Sequence, residues 1–458
     1  MVSAGTRWWL VFSFDTDEGI NLMKAVLVAK GFSLFSEIWT DQPPLLTFIL
    51  AATETLFPRD ISVARVLILA FSGLLLWSLF RIVYRLEGRA SAWLATAALL
   101  AIFEYQIMSV SVKIGLPAVA LATAAIDQTL AGADDNKIWR YWIAGILFSL
   151  SLQTKMFTAI LFPTLVFTVF VQPESGRLGP LRLCSFRATQ VVLSALISFF
   201  LIAAISGEEI FSQLVIPHYN SVVAQGGIWV LIYLLRKSIP LALALFLLAG
   251  LLVCLMRMKV SHVIPTIWLV SAGLVLALHR PLWDHHLLLL YVPIAWISAL
   301  SIQLVSWPSR RSVICMGSII LLLTTGIWAN YNFRLSVGPL PVRSATSPEG
   351  EWIFPALLRR APAEGWTITD NLLDAYFADR LVPPELVVWS LKRMMGKYLT
   401  PEDLISIIQK RKPDQILLRR FDHARIFLDY LELDYECIPV SQQAPVRAFY
   451  YVRKGPLR

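Results

Sequence analysis

ISVARVLILAFSGLLLWSLF, residues 61–80, decides the fold. Apart from Arg65 the stretch holds only apolar and small residues. Roughly 20 such residues, at a rise of 1.5 Å each, match the hydrocarbon thickness of a bilayer. Lipid offers the backbone no hydrogen-bonding partner outside its own helix, so the stretch reads as a membrane helix. Comparable runs recur at 189–205, 239–256 and 313–329. The chain of 458 residues is 57% hydrophobic and only 16% charged, whereas a soluble domain carries about 25% charged residues. A polytopic α-helical membrane protein is predicted, with the lipid bilayer as its first partner.

The breaks between apolar runs carry charge of two kinds. Arg81/Arg85/Arg89, Lys137/Arg140, Arg177/Arg182/Arg187, Arg257/Lys259 and Arg310/Arg311 form a basic group. Asp15 to Asp41, Glu208/Glu209 and the stretch from His279 to Asp284 form an acidic or mixed group. Basic breaks are retained in the cytoplasm, and the two groups then alternate along the chain. The net charge of +9 is explained this way, and no nucleic acid is expected. Spans are predicted near 61–80, 90–104, 112–131, 141–152, 156–171, 188–206, 239–256, 262–279, 285–306 and 312–330. With a truncated first helix at 8–14, that makes about 11 membrane helices. Residues 44–57, proline-led and interrupted by Glu54, read as a helix lying in the outer interface. Cys184, Cys254, Cys315 and Cys437 are too scattered for a zinc site or disulfide framework.

Two domains are expected: 1–330 in the membrane, and 331–458 outside the cytoplasm. In the latter, strands at 366–370, 415–418 and 448–452 alternate with helices at 371–379, 401–410 and 423–433, the pattern of a small α/β layer. Thr400-Pro-Glu-Asp403 supplies an N-cap, a proline at the first helical position and an acid at the third.

Charges at a membrane are costly unless used or solvated. Asp15, Asp17 and Glu18 crowd one short acidic loop, where carboxylates serve as general base, acid or metal ligand, or merely as solvated charge. Asp41 before Gln42-Pro43-Pro44 reads as a helix N-cap. Lys155, between two apolar helices at an outer turn, either meets an anionic lipid phosphate or snorkels. Arg280, His285 and His286 open a late span and suit phosphate through charge-assisted hydrogen bonds. A zinc site there is disfavoured, because adjacent histidines point apart on a helix. Arg65, one turn into its span, is a further phosphate candidate. No cofactor is implied, and the carboxylates leave a divalent cation open.

Taken in order, Asp17-Glu18-Gly19, Gly31, Asp41-Gln42-Pro43-Pro44-Leu45, Arg65, Thr154-Lys155 and Arg280-Pro-Leu-Trp-x-His285-His286 resemble the GT-C glycosyltransferases of the protein O-mannosyltransferase and lipid A aminoarabinose transferase type. The resemblance covers about residues 1–330. It implies a GT-C-like bundle in the cell membrane that transfers a sugar, with inversion, from a polyprenyl-phosphate donor to a glycan, lipid or protein acceptor in the cell envelope. Asp17 matches the family's catalytic aspartate, with Glu18 and Asp15 beside it. Lys155, Arg280, His285, His286, Arg65 and Gln42 would hold the donor phosphate. Many relatives carry lysine where Gln42 stands, so phosphate binding here leans on the other cations. Two rival classes remain. A transporter or flippase would place ionisable groups at the bilayer midplane and show repeats, neither of which is seen; the other is a non-catalytic envelope scaffold.

Overall fold

The computed structural model describes residues 15–173, 177–205, 207, 209–219, 226–305, 308–337, 353–360, 365–440 and 448–454. The apolar run at 8–14 and Glu208 lie outside the described residues. Two compact units emerge, one within Met1–Arg65, Ser206–Val223 and Val337–Arg458, the other within Val66–Ile205 and Ala224–Ser336.

α1 (Thr16–Ala29), α2 (Leu45–Leu56) and the first turn of α3 (Ile61–Glu87) open the first unit. The rest of α3 belongs to the second, with α4 (Arg89–Leu100), α5 (Phe103–Met108), α6 (Gly115–Asp135), α7 (Trp139–Thr154) and α8 (Phe162–Phe170). A two-residue strand, β1 (Val171–Gln172), pairs antiparallel with β2 (Arg177–Leu178) before α9 (Leu181–Ile205). After α10 (Ile210–Tyr219) in the first unit, the second is completed by α11 (Ile228–Ser238), α12 (Leu241–Arg257), α13 (Val260–Leu278), α14 (Leu288–Leu300) and α15 (Pro308–Val337).

Each span expected from 61 to 330 overlaps a helix, though not always over its full expected length. Among the described residues five helices are long and apolar enough to cross a membrane by themselves: α3, α6, α9, α13 and the stretch Asp284–Leu304 around α14. α11 and α12 add a sixth if taken together, although they bend by 114°. Pro240 causes the break, since a residue before proline is pushed out of the helical region, and Ile239 is extended with φ −95° and ψ 116°. The expected span at 239–256 therefore starts only at Leu241. α11 escaped the sequence reading because Arg236 and Lys237 close its last turn. α4, at 12 residues, reaches only about 18 Å, short of a full crossing.

α14 is buried along its entire length, as an all-round apolar helix must be. α12 approaches it closely at Gly250, where any Cβ would strike the carbonyl of Ile297. Small residues permit such contact where no hydrophobic force drives helices together in lipid.

The breaks sort to opposite ends of this unit. At one end Arg81 and Arg85 pair with Asp127, Arg85 Nε meets Asp134 at 3.1 Å, and Arg187 Nη2 donates to Asn136 Oδ1 at 2.9 Å. Gln303 there donates to Glu87 Oε2 at 2.6 Å and accepts Arg257 through its carbonyl at 2.8 Å. At the other end of α6 lie Gly115, Lys155 and His285. Arg81, Arg85, Arg187 and Arg257, from three of the basic breaks, thus share an end.

The remainder of the first unit comprises α16 (Ile353–Leu358), β3 (Thr367–Thr369), α17 (Leu372–Phe377), α18 (Leu391–Met395), α19 (Pro401–Arg411), β4 (Gln415–Leu418), α20 (Arg425–Asp434), β5 (Tyr435–Ile438) and β6 (Phe449–Arg453). The sheet order is β3-β4-β6-β5, with β3 and β4 parallel and the other pairs antiparallel. Phe354, Leu358, Ala378, Leu417 and Tyr450 form its core. Thr400 caps α19 through a capping box with Asp403, as its sequence spells. β5 was not anticipated: it is an edge strand with only Tyr435 buried, so it lacks the alternation that marks a half-buried strand.

Candidate functional site

The acidic run is the start of a helix rather than a loop. Asp15 is the N-cap of α1; its carboxylate accepts the Asp17 N–H at 2.9 Å, and Glu18 reaches back to the Asp15 N–H at 3.0 Å. That reciprocal pattern is a capping box, and the positive end of the helix favours the carboxylates it gathers.

Glu18 is fully buried against Arg65, equally buried, in a two-pronged pair of 2.9 Å and 2.6 Å. This corrects two sequence expectations. Glu18 is committed to Arg65 and the helix start, and Arg65, sealed beside it, is not exposed to a lipid phosphate. Both assignments came from spacing, which does not reveal that two charges satisfy each other. Asp15 likewise serves as a cap. Asp17, in the first turn of α1, is half-buried.

Lys24 follows on the same helix and is 1% exposed. Burial pulls its ammonium down to about 8, against the opposing pull of Asp41 and Asp17, so both carboxylates lie within electrostatic reach. Asp41 is not an N-cap: α2 starts from Pro44 with no side-chain cap. It instead receives Lys392 Nζ at 2.8 Å and the Gln42 amide at 3.3 Å. Gln42 therefore spends at least one N–H on Asp41. Arg393 lies 4.6 Å over the Trp39 ring, and burial lowers it to about 10.

The loop after β4 closes over the same region. Asp370 is 1% exposed and accepts the backbone N–H groups of Arg419, Arg420 and Phe421 at 2.8–3.2 Å, with His423 Nε2 at 3.2 Å. Burial would raise its carboxyl, but the His423 and backbone hydrogen bonds prevail and hold it below the usual range. In Asp374 burial prevails and raises the carboxyl despite Arg419 at 2.6 Å. Lys24, Lys392, Asp370 and Arg420 were missed in the sequence. Only Lys24, a lone lysine inside an apolar helix, offered a local signal.

The second unit gathers the other expected cations. Lys155 leaves α7 in an extended conformation, its Nζ 6.0 Å from the Phe157 ring. Phe157 packs on His279 at 4.5 Å and His286 at 5.1 Å, and His285 lies 4.5 Å from His286. His286 Nδ1 accepts the Trp283 N–H at 3.3 Å, which assigns a proton to Nε2 in the neutral ring. His285 is within electrostatic reach of Lys155, Lys113 and His279. Gly115 keeps α6 close: a Cβ there would lie 3.9 Å from Lys155 Nζ and 3.7 Å from the His285 carbonyl. Arg280 adjoins Gly226 and Gly227. Lys155, His285 and His286 are thus brought together, with Lys113 as an unforeseen neighbour. Among the described residues no group of three or more His, Cys, Asp or Glu side chains is placed to hold a metal ion.

Residues 41–203 match the family model of dolichyl-phosphate-mannose-protein mannosyltransferases. No curated protein matches the sequence. Among solved structures, ArnT from Cupriavidus metallidurans in the apo state superposes with a TM-score of 0.67 at 11% identity, over 97% of this chain and 95% of ArnT. The same protein bound to undecaprenyl phosphate gives 0.65 at the same identity and coverage. The apo oligosaccharyltransferase of Archaeoglobus fulgidus gives 0.52 at 11% identity, over 89% of this chain and 66% of that one. The family model thus matches the first part of the chain, the fold is similar to that of ArnT over nearly its whole length, and among the described residues five helices are long and apolar enough to cross a membrane.

Proposed function

We propose that the chain transfers a sugar from a polyprenyl-phosphate donor to a hydroxyl-bearing acceptor on the extracytoplasmic face, with inversion, and that Asp17 is the general base. The observation that carries this reading is the division of labour in the acidic run. Asp15 caps α1 and Glu18 neutralises Arg65, while half-buried Asp17 lies within electrostatic reach of Lys24 and Arg420. A base needs such a setting, ionised and able to meet a hydroxyl.

Asp17 takes the proton of the acceptor hydroxyl, and that oxygen attacks the anomeric carbon from the face opposite the phosphate. The bond from the anomeric carbon to the phosphate oxygen breaks, and polyprenyl phosphate leaves with the electron pair. Lys155, Arg280 and His286, aided by His285 and Lys113, stabilise charge growing on that leaving group. A donor of this class agrees with the undecaprenyl phosphate bound to ArnT. Residues 331–458 are assigned to the extracytoplasmic side, following the basic breaks.

The test uses the full chain in lipid nanodiscs with a panel of undecaprenyl-phosphate-linked sugars and an envelope extract as acceptor source. Asp17→Asn abolishes sugar transfer, a loss of about a thousandfold or more, and leaves undecaprenyl phosphate binding unchanged. Lys155→Ala weakens that binding about tenfold or more, the worth of a charge-assisted hydrogen bond. Near-normal transfer by Asp17→Asn sinks the base assignment.

A further inference from the structure

The first turn of α1 carries more than its own carboxylates. A Cβ on Gly19 would lie 2.6 Å from the backbone nitrogen of Leu373 and 3.1 Å from the carbonyl carbon of Leu372. α17 therefore abuts this turn backbone to backbone. Residue 370 immediately precedes that contact. Its carboxylate collects three successive N–H groups, from Arg419, Arg420 and Phe421. Three aligned donors and His423 satisfy it, and together they fix the backbone of a turn otherwise free to move.

The turn ends in a defined guanidinium. Arg420 is half-buried, donates from Nη1 to the Trp389 carbonyl at 3.3 Å, and lies 4.6 Å over the Phe421 ring. Trp389 in turn packs on His423, the fourth partner of Asp370, at 5.5 Å. Neighbouring Arg419 is spent on Asp374 at 2.6 Å and 2.9 Å.

The geometry points to Arg420 as a positioning residue for Asp17, with Asp370 clamping the turn that presents its guanidinium to the first turn of α1. The inference rests on Asp17 being the base. Arg420 holds the Asp17 carboxylate ionised and aimed, so the α/β part of the chain completes the chemistry begun by α1. In support, burial weakens the Arg420 charge while Asp17, Asp370 and Asp15 sustain it. Lys24 and Arg420 lie within electrostatic reach of Asp17, and the charged groups of the surrounding elements include Asp15, the Glu18–Arg65 pair shared with α3, the Asp41–Lys392 pair, and Asp370, His423 and Arg419 around the turn. The Arg420 charge distinguishes this turn's effect on Asp17, because Arg419 is neutralised locally.

The experiment labels the full chain in nanodiscs with a carbodiimide and glycine ethyl ester, which modify protonated carboxyls. Modification of Asp17 and Asp41 is followed by mass spectrometry across pH. Removing a nearby cation raises a carboxyl's midpoint, so Arg420→Gln shifts the Asp17 midpoint upward by about one pH unit. Asp370→Asn shifts it in the same direction, and Arg420→Lys restores it in large part. Asp41, paired with Lys392, keeps its midpoint and reports that the unit is folded. An unmoved Asp17 midpoint in Arg420→Gln, with Asp41 unchanged, overturns the proposal. An Asp370→Asn chain that keeps its fold and its Asp17 midpoint overturns the clamp. Should Asp370→Asn lose its fold, Arg420→Gln decides. In turnover, Arg420→Gln moves the acid limb of the pH profile upward by the same amount and lowers kcat with donor KM unchanged. Transfer persisting in Asp17→Asn would instead refute the base assignment, and labelling reads the Arg420–Asp17 coupling independently.

Discussion

At the scale of single residues, Lys24 is the group whose cost the structure makes plainest. An ammonium removed from water is destabilising unless fully compensated, and the carboxylates Asp41 and Asp17 compensate it only in part, leaving it at about 8 against an ordinary 10.5. Between these values the unfolded chain holds a proton that the folded chain has released, so stability rises with pH across that window. The gap corresponds to about 3 kcal/mol below pH 8, since one unit is about 1.4 kcal/mol. Lys24→Met is therefore expected to raise the thermal midpoint of the detergent-solubilised chain at pH 7. That advantage should shrink as the pH climbs from 8 toward 10. A constant difference between the two chains over that range would show that burial does not lower the Lys24 ammonium in the folded chain. A costly lysine here is understandable if its charge serves Asp17, and the same substitution should then slow transfer.

At the scale of elements, the entry of α1 and the first turn of α3 are joined by one buried ion pair. Glu18 and Arg65 are both shielded from solvent and meet at 2.6 Å and 2.9 Å. Breaking such a pair strands the surviving charge and costs about 3–5 kcal/mol, whereas replacing both with apolar residues of similar volume is often neutral. Glu18→Gln and Arg65→Met should each lower the unfolding midpoint sharply, and the double variant Glu18→Leu/Arg65→Met should recover most of the loss. If the single variants unfold like the parent chain, the pair does not organise the two helix starts. The sequence displayed both residues but not their union, because the partners lie far apart in the chain. Elements were legible where local chemistry suffices: apolar length gave α3, α9 and α13, and Thr400-Pro-Glu-Asp403 gave α19. They were illegible where a tertiary neighbour decides, as in edge strand β5 and charged α11. Among the proposed site residues, Asp17, Lys155 and His286 are named from motif order. Arg420 and Asp370 were not, since only folding brings the turn after β4 to the start of α1.

At the scale of the molecule, that convergence makes the first unit a composite of early and late segments of the chain, and Gly19 is one point where they approach closely. A β-carbon at this position would meet the Leu373 nitrogen at 2.6 Å and the Leu373 Cγ at 3.0 Å. The side-chain contact can yield by a rotamer change, but the backbone contact cannot. Gly19→Ala therefore either pushes α17 off α1 or strains both, at a cost of about 1–3 kcal/mol for an overpacked contact. Because Asp370 sits directly before α17, the displacement should propagate to the turn at 419–421 and to Arg420. Hydrogen exchange of the full chain checks this: amides of α17 and of Arg419 to Phe421 should lose protection together, while α14 in the other unit keeps its own. Adding Leu373→Ala relieves only the side-chain share, so it should not restore protection. Full protection in Gly19→Ala would mean that the two ends are not packed at this point, and the argument that the α/β part reaches the base would fall with it.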